Sequence, residues 1–347
     1  MKQMARLTLA GLIMLTLTVG FAANLSPRKH VHIVGSSTAY PIIAAAAEHF
    51  GRHHGYTTPV VESTGTGGGI KLFCAGIGLL TPDIAMASRS MKPSERNTCK
   101  RHDVTDVREI KIGFDGIVIA NSRQAPQLHL SRRDIYLALA RWVPSPDRPG
   151  TLVANPYRTW QQINPDLPNQ KIRVYGPPPT SGTRDILVER LMTSACLDEP
   201  EMRALLEQDP SSFNQQCHAL REDGPFINAG ENDARLVRKL VNDRDALGIF
   251  GFNFLDRNRE ILQAASIDST SPSFESIESG LYPLSRPLYL YIKPRHARIV
   301  AGLNQFVDSI IEESSTGPEG RLIDQGLIAL PHNQMTQPQP GNTVVGN

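Results

Sequence analysis

Apolar and polar positions recur along this chain in one order: a short strand, a polar turn, then a helix. Val31-His32-Ile33-Val34 alternates at period two and reads as a strand; Gly35-Ser36-Ser37-Thr38 follows, and Ala39 to Phe50 has helical periodicity ended by Gly51. The unit repeats with a strand at Thr58 to Glu62, a glycine-rich turn at Ser63 to Gly69 and a helical start at Ile70 to Ala75. A strand at Asp83 to Ala87 runs into Ser88-Arg89, and Ile110 to Ala120 is a strong strand interrupted at Phe114-Asp115-Gly116. Ser131 to Ala140 predicts a helix with Ser131 as N-cap and Asp134 at the third position, a capping box with an acid in the first turn.

The second half continues the theme. Between Trp142 and Pro168 the chain is Pro-, Asp- and Asn-rich and reads as surface loop with one helical stretch near Trp160. Lys171 to Tyr175 predicts a strand, Gly176 to Pro179 a rigid turn, and Thr180-Ser181-Gly182-Thr183-Arg184 opens a helix through Met192. A helix at Ala234 to Asn242, strands at Ala246 to Phe252 and Pro287 to Ile292, and a last helix over Ala297 to Glu313 complete the pattern. Strands alternating with helices predict an α/β protein with mainly parallel sheets.

The two ends stand apart. Lys2 and Arg6 precede an apolar run from Leu7 to Val19, and Gly20 and Ala22 fit the small-residue positions of a signal-peptidase site, so residues 1–22 read as a cleaved signal peptide. No cysteine lies near the cut to carry a lipid, which predicts a free secreted protein. The tail from 334 to 347 is rich in Gln, Pro, Gly and Asn and reads as disordered.

Charge narrows the function. Without Lys2 and Arg6, 34 of the 36 basic residues remain against 34 acidic ones. A balanced surface argues against nucleic acid or an anionic membrane as partner, since both select a basic excess. Any anion site is therefore local. About 325 residues remain after the leader, more than one typical core holds, so two domains are expected. Cys74, Cys99, Cys196 and Cys217 allow three pairings; local pairing, Cys74 with Cys99 and Cys196 with Cys217, keeps each bridge within one domain.

Four segments place Ser, Thr or Gly where a strand hands over to a helix: Ser36-Ser37-Thr38-Ala39-Tyr40, Thr64 to Gly69 including Thr66, Ser88-Arg89, and Ser181-Gly182-Thr183-Arg184. A helix N-terminus offers unsatisfied N–H groups and about half a positive charge, and hydroxyls add donors that rotate to fit. One such turn is an ordinary cap. Four of them, at the carboxyl ends of strands facing one crevice, predict a small-oxyanion site, with Arg89 and Arg184 as cations. The glycine turn lacks the Lys-Ser/Thr of a Walker loop, and the chain has no GxSxG elbow. His49, His53 and His54 are split by Gly51 and are not read as a metal site; no metal or cofactor is expected.

The ordered set GSSTAYP, ESTGTGGGIKLF, DIAMASR, IGFDGIVIAN, VYGPPPTSGTRD, INAGEND, ALGIFGFNFLDRN and PLYLYIK resembles the periplasmic phosphate-binding component of Pst-type ABC transporters. The resemblance spans nearly all of the mature chain. It implies a two-lobed type II periplasmic-binding-protein fold: two mainly parallel sheets flanked by helices and joined by two crossovers. Domain I would hold residues 25–119 plus 286–329 and domain II residues 120–285. It further implies a monomeric, non-enzymatic periplasmic receptor that captures inorganic phosphate and delivers it to inner-membrane permease subunits. Ser37, Thr38, the N–H groups of Ala39 and Tyr40, Thr66, Ser181, Gly182 and Thr183 match the family's phosphate-binding positions.

Two positions depart from the best-studied branch, which has an acid where Arg89 stands and an arginine where Pro177 stands. Here Arg89 and Arg184 are expected to be the cations, with Asp115 the acceptor for the ligand's proton or a partner of Arg89. Ala39 also replaces a hydroxyl, which leaves Thr38 to compensate. The alternatives are another tetrahedral oxyanion, such as sulfate or a phosphonate, and a secreted phosphoester hydrolase. The last would need a metal cluster or an activated nucleophile, and the sequence presents neither.

Overall fold

The computed structural model describes residues 28–331 except Pro149, Thr180 and Glu231; the expected leader and tail lie outside the described residues. Among the described residues the main sheet has nine strands: β1 (His32–Gly35), β2 (Val60–Ser63), β3 (Ile84–Ala87), β4 (Arg108–Ser122), β5 (Val174–Gly176), β6 (Phe226–Asn228), β7 (Leu247–Gly251), β8 (Leu262–Ala264) and β9 (Ser285–Ile292). Their order is β2-β1-β3-β9-β4-β7-β5-β6, with β8 also on β4. At one end β1 lies parallel to β2 and β3; at the other β5 lies parallel to β6 and β7. The two parallel halves are the sheets of two lobes, and the antiparallel strands β4 and β9 run through the middle and join them.

β4 makes the crossing. It pairs with β9 from Arg108 to Gly116, then with β7 from Ile117 to Ala120, so it changes lobe between Gly116 and Ile117 without a break. The expected interruption at Phe114-Asp115-Gly116 is therefore a lobe boundary inside one continuous strand. The return crossing enters β9 after Leu284, whose carbonyl accepts from Ile117 N at 3.0 Å. A third segment passes the same point, where Phe114 pairs with Ile328 in a bridge.

Each lobe has its own core. In the first, the helix Tyr40–His53 buries Ile42, Ile43, Ala46, Ala47 and Phe50, and the helix Leu303–Ile311 buries Leu303, Phe306, Val307 and Ile310. That i, i+3, i+4, i+7 spacing stacks one apolar face, each large side chain contributing about 1.5–3 kcal/mol on burial. The second core gathers Ile117 to Ala120, the helix Arg132–Leu139, Trp160, Leu187, Leu191 and Phe250. Ser131 caps its helix as expected: its Oγ accepts from Asp134 N at 3.0 Å, and Asp134 Oδ2 accepts from Ser131 N at 2.8 Å. The local cysteine pairs are bonded, Cys74 to Cys99 in the first lobe and Cys196 to Cys217 in the second.

Two helices differ from their sequence patterns. Gly51 does not end the first helix; it packs against Thr58, where a Cβ would fall 2.0 Å from Oγ1, and the helix runs on to His53. The helix opened at Gly182 keeps α geometry to Ile186, widens into a π turn over Leu187–Met192, and returns to α over Thr193–Asp198. Among the described residues no helix is long and apolar enough to cross a membrane.

Candidate functional site

Because β1, β2 and β3 are parallel, their carboxyl ends deliver the turns after Gly35, Ser63 and Ala87 to one edge of the first lobe. β5 delivers the turn ending at Ser181 from the second lobe. The two edges face each other across the crossing, where a cavity of 580 Å³ opens. Ser37, Thr38, Tyr40 and Ser63 line it from one side, Ser181, Gly182 and Thr183 from the other, and Asp115 and Asp233 also border it. A site lined by hydroxyls and carboxylates suits a ligand that both accepts and donates hydrogen bonds.

The two hydroxyl turns also touch directly. Ser37 Oγ donates to Asp185 Oδ2, and Thr38 Oγ1 donates to the Gly182 carbonyl at 3.3 Å. Gly182 is required at that contact, since a Cβ there would meet Thr38 Cα at 2.5 Å. Within the first turn, Ser36 takes up the helix-opening donors: its Oγ accepts from Ala39 N at 3.3 Å and its carbonyl from Tyr40 N at 3.0 Å. The Ala39 and Tyr40 N–H groups, expected to face a ligand, are thus held by their own turn. Ser181 Oγ caps Thr183 N in the same manner at 3.2 Å.

Thr66 and Ser88 meet as neighbours: their hydroxyls are 3.0 Å apart and Ser88 N donates to Thr66 Oγ1 at 3.2 Å. Neither borders the cavity. The two expected cations also point elsewhere. Arg89 forms a fork on Glu95, with Nη1 2.9 Å and Nη2 2.8 Å from its oxygens, and the bonds to Glu95 raise the Arg89 pKa. Glu95 in turn accepts from Lys92 N at 2.8 Å, so the pair closes the start of the helix Pro93–Arg101. Arg184 folds back to the Pro177 carbonyl at 3.3 Å and lies 4.9 Å over the Phe226 ring; burial lowers its pKa.

Asp115 faces Arg286 rather than Arg89. The two are direct partners across the β4–β9 pair, which puts both side chains on one face of the sheet. Asp115 keeps a partial opening to the cavity, yet burial of its carboxyl pushes its pKa up to about 6 against the opposing pull of Arg286; nearby Asp233 adds to the rise. Arg286 is buried, with Nη1 3.1 Å from Glu189 Oε2 and Nη2 3.2 Å from the Gly182 carbonyl. Sequence reading placed Arg286 only at a domain edge. The available signal was a lone arginine opening an apolar strand, Ser-Arg-Pro-Leu-Tyr-Leu.

Hydroxyl turns meeting across a crossover hinge define a two-lobed solute-binding protein. The chain belongs to the PBP superfamily: the model of the PBP superfamily domain matches residues 22–313, which bears out the resemblance read from the motifs. It is 31% identical over 309 residues to Protein SphX of Synechocystis sp., covering 87% of this chain and 79% of that one. It is 26% identical over 312 residues to the phosphate-binding protein PstS of Staphylococcus saprophyticus, covering 88% and 82%. Two crystal structures share the fold. A possible phosphate binding protein from Planctomyces limnophilus superposes with a TM-score of 0.69 at 24% identity, covering 89% of this chain and 96% of that one. An ABC-type phosphate transport receptor from Vibrio cholerae gives 0.56 at 20%, covering 87% and 100%.

Proposed function

We propose that this chain is the phosphate receptor of a Pst-type ABC transporter. It captures inorganic phosphate between its lobes and delivers it to permease subunits in the inner membrane. The observation that carries the reading is the meeting of Ser37-Thr38 from one lobe with Ser181-Gly182-Thr183 from the other across a cavity that Asp115 also borders. The hydroxyls that line the cavity stabilise the phosphate oxygens without a net charge on the protein surface. A carboxylate in the same cavity accepts a hydrogen bond from the proton that phosphate retains at neutral pH and sulfate lacks. The relatives named for phosphate binding support the same ligand.

The two lobes act as rigid bodies hinged where β4 crosses at Gly116-Ile117, which moves the expected domain boundary from residue 119 back to residue 116. Ligand that binds both lobes shifts the population toward closure by mass action. The role is binding and not catalysis, exercised by a monomer secreted to the periplasm under the leader at 1–22. Protein purified from phosphate-replete cells, washed and then denatured in acid, is expected to release about one equivalent of inorganic phosphate. Release of sulfate or of a phosphonate in place of phosphate would transfer the reading to that oxyanion.

A further inference from the structure

We infer that Arg286 is a positioning residue of the cleft, which pins the second-lobe Ser181-Gly182-Thr183 turn to the crossover strand and stands against Asp115 across the strand pair. The inference rests on the reading of the cleft as an anion site. Its basis is where positive charge lies. Arg89 is forked on Glu95, and Arg184 is turned to Pro177 and Phe226. Arg286 is 3% exposed and stands at the point where β9 crosses between the lobes. It makes three connections there. Across the strand pair it opposes Asp115, which borders the cavity. Through Nη2 it holds the Gly182 carbonyl, which also accepts from Thr38. Through Nη1 it holds Glu189, further along the same second-lobe helical segment.

A single guanidinium thus ties the second-lobe turn, and through the Gly182 carbonyl the Thr38 turn, to one strand, and it stands opposite the cleft carboxylate. Its planar fork suits this role because two donors reach two acceptors in fixed directions, which an ammonium on a flexible stem does not reproduce. The Nε of Arg286 is buried without a protein partner, so the side chain is not placed there to satisfy itself. The charged groups acting on Arg286 are Asp115 on β4 and Glu189, Asp185 and Arg190 on the segment after Gly182. Those acting on Asp115 are Arg286 and Asp233. Removing the arginine leaves only the Gly116 N–H to oppose burial and Asp233, both of which favour the protonated form of Asp115.

The test uses the whole secreted chain with Arg286→Gln and Arg286→Lys. In ligand-free protein, the Asp115 carboxyl is followed by carbon NMR through a pH titration. The midpoint is expected to rise in Arg286→Gln and to stay near the wild-type value in Arg286→Lys, which keeps the charge. A packing role alone would lower stability in both variants and leave the midpoint in place, and that result would overturn the inference. Phosphate titrations from about pH 5 to about pH 8 give the second readout. Arg286→Gln is expected to bind on the order of tenfold more weakly or worse, with affinity lost at a higher pH as acid is added; Arg286→Lys should fall between it and wild type. If wild-type protein takes up no phosphate, the proposed function fails, while the carboxyl titration still decides the role of Arg286.

Discussion

A Cβ built on Gly182 would lie 2.5 Å from the Cα and 2.8 Å from the backbone nitrogen of Thr38, so the two binding turns pack backbone against backbone across the cleft. Neither atom can give way as the tip of a flexible side chain would. Gly182→Ala is therefore expected to leave each lobe folded and to oppose closure. The overlap should cost the closed state about 1–3 kcal/mol and weaken phosphate binding by the corresponding factor. Small-angle scattering with and without phosphate checks the cause: wild type should contract on ligand and the variant should contract less. Unchanged affinity in the variant would mean that the two turns do not approach this closely when ligand is bound.

Asp115 should trade stability for binding. Burial pushes its pKa up to about 6, above the usual carboxylate value of about 3.9. The folded protein therefore holds a proton that the unfolded chain has released between about pH 4 and about pH 6. Stability falls as pH rises through that window, and the full penalty is present above it. Asp115→Asn removes the penalty, so ligand-free variant at about pH 8 should be more stable by up to about 3 kcal/mol, the equivalent of about two pKa units. The same variant should lose phosphate affinity and its preference over sulfate. Chemical denaturation at two pH values, paired with titrations of both anions, tests both halves.

Asp83 offers the contrasting case, a buried carboxylate remote from the cleft. Its side chain is fully buried and receives Arg28, the backbone N–H of His32 at 2.7 Å and His296 Nδ1 at 2.6 Å. Together they tie the first strand to the 3-10 turn Pro294–Arg298 beyond β9. Asp83→Ala strands those donors and is expected to cost about 3–5 kcal/mol. Phosphate affinity per folded molecule should remain within about twofold of wild type, since Asp83 does not border the cavity. A large change in affinity at equal folded fraction would contradict the separation of scaffold from site.

The bridges should act independently, one in each lobe. Cys74–Cys99 and Cys196–Cys217 close loops with sequence separations of 25 and 21 residues, worth about 3 kcal/mol each in the chain-entropy account. Replacing either pair by serine should lower the unfolding midpoint of its own lobe. Limited proteolysis of the two variants should cut in different halves of the chain.

The binding turns were legible because their signal is local. Ser37-Thr38 and Ser181-Gly182-Thr183 each follow a short apolar strand and open a helix, and a parallel sheet brings such turns to one edge whatever the side chains do. The Ser131 cap was legible for the same reason, since partners three residues apart meet in any helix. The destinations of the arginines were not. Arg89 and Arg184 sit beside hydroxyl turns in sequence, but a long side chain reaches several partners. Glu95 captures one through a fork, and the Pro177 carbonyl and Phe226 ring hold the other. Arg286 was hidden differently: its pairing with Asp115 is a matter of register between β4 and β9, and a shift of one residue would send it to the opposite face. The widened turn at Leu187–Met192 likewise leaves no mark in an apolar pattern that continues through it.

Whether the cleft is built for phosphate is decided by isothermal titration of the purified, phosphate-stripped protein with phosphate, arsenate and sulfate in turn. Saturable one-to-one heat is expected with phosphate and, more weakly, with arsenate, each of which carries a proton for Asp115 at neutral pH. Sulfate, with no proton to donate, should give no saturable heat. Saturable heat with sulfate and none with phosphate would contradict the account.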